Sequence, residues 1–149
     1  MAAEQLISTD RTRALVGLGV SGRSVARYLQ AEGKPFTAFD TRDASPAIEQ
    51  FREENPGVEI QVGALSSDVF LGCDEIILSP GVSPHEPLFA ALEKQGVALV
   101  GDIELFARDV DKPVVAITGA NAKSTVTALV GLMAERSGLK VGVGGNMAP

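Results

Sequence analysis

Cysteine is almost missing from this chain: Cys73 is the only one in 149 residues. A single thiol excludes an internal disulfide framework and fits a reducing compartment. Histidine is as scarce, and the lone His85 with Cys73 falls short of the ligands of a zinc-type cluster. Any metal is therefore expected to be a hard cation, held by oxygens and by substrate phosphates. Basic runs are also lacking, and 13 Lys and Arg against 19 Asp and Glu leave a formal net charge of −6. That balance argues against a nucleic-acid partner, whose phosphate backbone would need neutralising. No apolar run approaches the roughly 20 residues that span a bilayer. Glu4 and Asp10 interrupt any basic-then-apolar secretory signal. The expectation is a soluble cytoplasmic monomer with no membrane and no nucleic-acid partner. His85 reads as a solvated loop residue, and Cys73 as a small buried apolar one.

What is present is hydrophobic residue, 45% of the chain, enough for one domain core and a fraction of a second. Strand and helix patterns alternate. Ala14-Leu15-Val16 leads into Gly17-Leu18-Gly19-Val20-Ser21-Gly22 and then a helix carrying Val25, Ala26 and Leu29, ended near Gly33. Strands are expected at residues 35–39, 58–62, 75–78 and 97–100, with helices from Pro46 to about Glu54, from Glu86 to Gln95 and from Asp102 to Arg108. Strands alternating with helices through short connections predict an α/β fold with a Rossmann-like, doubly wound parallel sheet. Asp109-Val110-Asp111-Lys112-Pro113 is a polar hinge whose proline stops any helix, so a domain boundary is expected there. Beyond it come a strand (114–117), a small-residue loop, a helix and a second strand (140–145). The 37 residues from Pro113 to Pro149 are too few for a self-sufficient core, because chains below about 40 residues usually need help to fold. The expectation is the front of a longer protein, cut inside its second domain.

Two glycine-containing loops carry the chemistry. Gly17 to Gly22 fits G-x-G-x-x-G after a strand and before a helix, and Asp40 follows about 20 residues on, at the end of the next strand. Such a turn aims backbone N–H groups at a diphosphate or similar anion, while an acidic or polar group one strand over reads a sugar or base. It does not demand a nicotinamide dinucleotide, although the NAD(P)-binding domain of an oxidoreductase is one reading. Glycines that merely allow tight βα packing are another. Gly81, after Ser79-Pro80, lies at the carboxyl end of a strand, where open α/β sheets place ligands, or in a simple proline turn.

The second loop, Gly119-Ala120-Asn121-Ala122-Lys123-Ser124-Thr125, joins a β-branched run to an apolar-periodic helix. This is the layout of a phosphate-binding loop. Backbone N–H groups face the anion, Lys123 supplies a point charge and the Ser124 hydroxyl reaches a magnesium ion. The pattern is incomplete, because one glycine precedes the lysine and Ala122 stands where the pattern has glycine. Residue 122 is accordingly expected at negative φ, with Gly119 letting the backbone approach the phosphates. An ordinary β-turn-α corner would look similar. Two such loops in succession suggest a nucleotide-linked substrate and a triphosphate brought together.

The segments at 16–22, 39–42 (Phe-Asp-Thr-Arg), 78–82 (Leu-Ser-Pro-Gly-Val), 100–106 (Val-Gly-Asp-Ile-Glu-Leu-Phe), 116–125 and 144–146 (Gly-Gly-Asn) resemble, in order, the Mur ligases of peptidoglycan synthesis. The Lys-Ser-Thr-Val-Thr continuation favours the branch that adds D-glutamate to UDP-N-acetylmuramoyl-L-alanine. The resemblance implies a UDP-sugar-binding domain over residues 1–110 and the truncated start of a central, ATP-binding P-loop domain over 111–149. It implies ATP and Mg2+ as cofactors, and UDP-N-acetylmuramoyl-L-alanine and D-glutamate as the other small-molecule substrates. Val20 and Ser21 would meet the diphosphate, and Asp40, Thr41 and Arg42 would hold the uridine, with Gly81 and Asn146 completing the site. Residues Gly119 to Thr125 would hold ATP, with Lys123 catalytic and Ser124 on the metal. Phosphate would pass from ATP to the substrate carboxylate, and the D-glutamate amine would then attack the acyl phosphate. The family's carbamylated lysine, its magnesium-binding glutamate and its D-glutamate site have no counterpart in these residues, so the chain alone is not expected to catalyse the reaction.

Overall fold

The computed structural model describes residues 12–145. The chain divides into two compact units that meet between Val110 and Asp111. In the first, five parallel strands form one sheet: β1 (Arg13–Val16), β2 (Thr37–Asp40), β3 (Ile60–Val62), β4 (Glu75–Leu78) and β5 (Ala98–Gly101). Their order is β3-β2-β1-β4-β5, so β4 crosses over to pair on the far side of β1. The sheet is the α/β arrangement that the alternating pattern predicts.

The central strands read as apolar runs because both of their faces are covered. Ala14, Leu15 and Val16 on β1 and Ile76 and Ile77 on β4 are fully buried. Their side chains alternate between two cores. Leu15 and Ile77 join Val25, Ala26 and Leu29 of α1 (Val20–Ala31), Phe51 of α2 (Pro46–Glu54) and Leu105 of α4 (Asp102–Asp109). Ala14, Val16, Ile76 and Leu78 join Phe70 and the buried face of α3 (Pro87–Lys94), Phe89 and Leu92. On this second side Phe39, Phe70 and Phe89 form a chain of ring contacts, 5.0 and 6.2 Å between centroids. Phe70 closes a 3-10 turn, Ser67–Phe70, that the sequence patterns do not announce.

Local chemistry sets the helix ends. Ser45 caps α2 by accepting from the Ile48 amide, and Pro46 occupies the first turn, where its missing N–H costs nothing. Gly33, at φ 62°, ends α1 as the Lys34 amide turns back to the Leu29 carbonyl. At the amino end of the sheet, buried Glu75 takes Arg108 Nη1 at 2.5 Å and Arg13 Nε at 3.4 Å, tying α4 and β1 to the foot of β4.

The second unit contains α5 (Lys123–Arg136). Three expectations are corrected here. Residues 114–117 and 140–145 form no strands among the described residues. A β-branched run becomes a strand only when a neighbour completes its hydrogen-bond ladder, and no ladder reaches either segment. Val143 instead packs against α5 at Gly131, where a β-carbon would lie 2.7 Å from its Cγ2. Ala122 is the third correction. It sits at φ 58°, ψ 12°, the one non-glycine residue at positive φ among those described.

Candidate functional site

In the first unit the expected site residues sit beyond the carboxyl ends of β1, β2 and β4. Because β2 and β4 flank β1 on opposite sides, the connections after them diverge and leave a crevice at its end. This is the switch point at which open α/β sheets bind ligands.

The glycines of the turn after β1 have separate tasks. Gly17 takes φ 92°, and a β-carbon there would lie 2.9 Å from Ser79 Cβ. A β-carbon on Gly22 would lie 1.9 Å from the Gly17 carbonyl oxygen, so only glycine lets α1 start this close to the strand. Gly19 faces open space, with nothing within 4 Å of its missing side chain. It is also the residue before α1, and no side chain caps the helix there. The first-turn amides of α1, including those of Val20 and Ser21, therefore lack side-chain caps beside an open backbone, an arrangement suited to an anion. Val20, at this corner, is 82% exposed. The only basic residue of that first turn is turned away, with Arg23 Nε on Glu54 at 3.0 Å and Nη1 on Gln50 at 2.5 Å.

Asp40, at the end of β2, is 2% exposed and takes four donors on two oxygens. Its Oδ1 accepts from the Arg42 amide (3.0 Å) and Arg42 Nε (2.8 Å). Its Oδ2 accepts from the Leu18 amide (2.9 Å) and Arg42 Nη2 (2.7 Å). Burial pushes the Asp40 carboxyl up, but these hydrogen bonds and the guanidinium charge outweigh it and hold the group below the usual carboxylate range. A carboxylate offers about four lone-pair sites, and here each has a donor. Thr41 and Arg42 are exposed at the strand end, with the Arg42 side chain still 51% accessible.

Gly81 is exposed just after β4, with open space where a β-carbon would stand. The residue that matters structurally in that segment is Ser79, which the sequence patterns pass over. Its buried hydroxyl donates to the Gly17 carbonyl at 2.6 Å and so locks the glycine turn to β4. Leu18, whose amide Asp40 holds, is equally unmarked in the sequence. Both contacts span the chain, across 62 and 22 positions, and become visible only once β1 lies between β2 and β4. His85 is exposed in a loop, and Cys73 is half-buried with a thiol that burial pushes up. A cavity of about 450 Å3 runs between α1 and α4 beside Ser24, Tyr28 and Phe106, touching the expected site residues only at Ser21.

The second loop belongs to the second unit. Lys123 Nζ folds back over it, donating to the Gly119 carbonyl at 2.6 Å and the Ala120 carbonyl at 3.4 Å. Left-handed Ala122 lets the chain reverse into α5, whose first helical bond runs from the Val126 amide to the Ala122 carbonyl. A β-carbon at Gly119 would make only ordinary contacts, 3.8 Å to the Asn121 carbonyl oxygen. Among the described residues no cluster of three or more His, Cys, Asp or Glu could hold a metal ion, and no helix is long and apolar enough to cross a membrane. Asn146 lies outside the described residues.

The family model of the Mur ligase MurD-like N-terminal domain matches residues 11–101. The chain is 47% identical over 142 residues to a UDP-N-acetylmuramoylalanine–D-glutamate ligase of Pseudomonas fluorescens. It is 47% identical over 141 residues to the enzyme of the same name from Coxiella burnetii. Both alignments take in 95% of this chain but 32% of the relative, so the chain spans about a third of the length of these curated relatives. Among solved structures, the UDP-N-acetylmuramate:L-alanyl-gamma-D-glutamyl-meso-diaminopimelate ligase of Neisseria meningitides superposes with a TM-score of 0.57 at 14% identity, over 87% of this chain and 40% of that one. The UDP-N-acetylmuramate-alanine ligase of Thermotoga maritima gives 0.53 at 19%, over 85% and 29%. At such identities the structures speak for the fold, while the family model and the close relatives speak for descent. The chain belongs to the Mur ligase family, and its residues 11–101 are a MurD-like N-terminal domain.

Proposed function

We propose that the first unit binds the UDP end of a UDP-N-acetylmuramoyl-L-alanine substrate, and that the whole protein is the cytoplasmic ligase that joins D-glutamate to it at the expense of ATP. The observation that carries the reading is the open glycine turn, with exposed Gly19 at an uncapped helix start and the Arg42 guanidinium steered by Asp40 at the neighbouring strand end. Uncapped amides suit a diphosphate, and one half-exposed guanidinium at the neighbouring strand end suits the acceptors of a neutral base and sugar. Val20 and Ser21 would meet the diphosphate, and Thr41 and Arg42 the uridine, with Gly81 leaving room beside β4. The dinucleotide reading is disfavoured by Asp40 itself. A ribose diol needs free acceptors on that carboxylate, and four protein donors already hold it.

For the second unit we propose the phosphate-loop role. Its backbone amides and Lys123 would meet the ATP phosphates. The fit to magnesium rests on the donor set, because the Ser124 hydroxyl stands in the first turn of α5 beside Lys123, and among the described residues no cluster of carboxylates competes for the ion. Ser124 and the nucleotide's own phosphates would thus hold the ion, which would supply charge neutralisation. In the proposed reaction a substrate carboxylate oxygen attacks the γ-phosphorus and ADP leaves. The amine of D-glutamate then attacks the activated carbonyl, and phosphate departs as the amide forms. Lys123 would offset the charge on the transferring group.

Calorimetry on this chain tests the first claim. UDP is expected to bind in the micromolar to millimolar range, and NAD+ is expected to give no saturable heat. Folded protein that takes up no UDP would refute the assignment.

A further inference from the structure

We propose that Asp40 is the positioning residue of the uridine-diphosphate site, holding the Leu18 amide and the Arg42 guanidinium where the ligand needs them without touching the ligand itself. The inference rests on the UDP-binding reading above and adds a division of labour within it. Four contacts carry it. The Leu18 amide belongs to the glycine turn, and at 2.9 Å from Oδ2 it pins that turn to the end of β2. Arg42 Nε and Nη2 lie parallel on Oδ1 and Oδ2, at 2.8 and 2.7 Å, in the two-pronged geometry that fixes a guanidinium plane as well as its place. The Arg42 amide on Oδ1 fixes the backbone that carries Thr41 and Arg42.

The carboxylate is fully used by these donors and is 2% exposed, whereas half of the Arg42 side chain remains accessible. The outward N–H groups of the guanidinium, at Nη1 and the free hydrogen of Nη2, are the ones a ligand can reach. One anion thereby couples two separately encoded pieces, the turn after β1 and the exposed residues after β2. Ligand affinity should then depend on Asp40 through Arg42 and through the turn, and not as an independent contact.

The experiment is a double-mutant cycle on the full chain, with UDP as the probe in calorimetry. Asp40→Asn keeps the shape but loses the charge and turns one acceptor into a donor. Arg42→Ala removes the exposed partner. Each single variant is expected to weaken UDP binding about tenfold, and the double variant no more than about twentyfold, because the pair acts as one unit. Losses that multiply to about a hundredfold would overturn the proposal, since they would mean that Asp40 does not act through Arg42. An Asp40→Asn variant that binds UDP normally would also overturn it.

A ligand-free readout separates this claim from the UDP-binding reading. In amide hydrogen exchange, Leu18 should lose at least tenfold protection in Asp40→Asn, while Leu15 and Ile77 in the sheet keep theirs. Unchanged protection at Leu18 would sink the positioning role whether or not UDP binds. Absence of UDP binding by the parent chain with Leu18 deprotected in the variant would sink the UDP assignment and leave the brace standing.

Discussion

Gly19 and Gly22 stand three residues apart, yet substitution should affect them in opposite ways. A β-carbon on Gly22 would lie 1.9 Å from the Gly17 carbonyl, a backbone atom that cannot move without unseating the turn from Ser79 and Phe39. Gly22→Ala is expected to destabilise the first unit by at least about 3 kcal/mol, the upper end of ordinary overpacking. Gly19→Ala meets nothing within 4 Å at φ −75°, so folding should be untouched while UDP affinity drops. Urea melts and calorimetry on the two variants check the contrast, and equal stability losses would refute it. Ala122 raises the converse question. A negative φ is the expectation for it, because an alanine in the left-handed region costs roughly 1–2 kcal/mol. The chain nevertheless enters α5 through a left-handed Ala122, at φ 58° and ψ 12°. Ala122→Gly should therefore stabilise the loop by about 1 kcal/mol, seen as several-fold slower amide exchange at Val126. Faster exchange there would show that the position carries no strain.

Among the elements, the end of β2 and the start of α1 are joined by charge as well as by packing. The Asp40 carboxyl is held below its ordinary value near 3.8, because the bonds it accepts outweigh the cost of burying it. A depressed folded-state value means that its stabilisation is fully present above about pH 4 and is lost as the pH falls through the folded value. The stability gap between the parent and Asp40→Asn should therefore be constant from pH 7 to pH 5 and shrink towards pH 3. Urea midpoints at these pH values measure it, and a gap that widens on acidification would contradict the assignment. The outline of these elements was legible in the sequence. Alternation of apolar runs and amphipathic segments reports which faces are buried, and β1, β2, β4 and the first four helices fall within a few residues of the expected positions. The run at 114–117 has the same strand-like composition, and 140–145 alternates valine with glycine, but pairing is a property of two segments and neither segment's sequence contains its partner.

At the scale of the molecule, the two units differ in how much they bury. The buried apolar side chains among the described residues all lie between Ala14 and Leu105. On α5, by contrast, Val126, Leu129, Leu132 and Met133 stand 43–60% exposed. Residues 1–110 are therefore expected to fold and melt cooperatively without the rest, retaining UDP binding within about threefold of the whole chain. An aggregated or unfolded 1–110 fragment would show that the first unit depends on the second. What the sequence determined alone is whatever local pattern can encode: the order of strands and helices, the glycines at the turn after β1, and the acidic residue closing β2. The tertiary structure decided the partners. By placing β4 beside β1 it brought the Ser79 hydroxyl to the Gly17 carbonyl, and by placing β2 on the other side it gave Asp40 the Leu18 amide. On the proposal made above, Asp40 acts on the ligand through these partners, as a brace. A hydrogen bond is settled by which groups meet in space, and the side of β1 on which each neighbour pairs is set by packing the whole sheet between its helices.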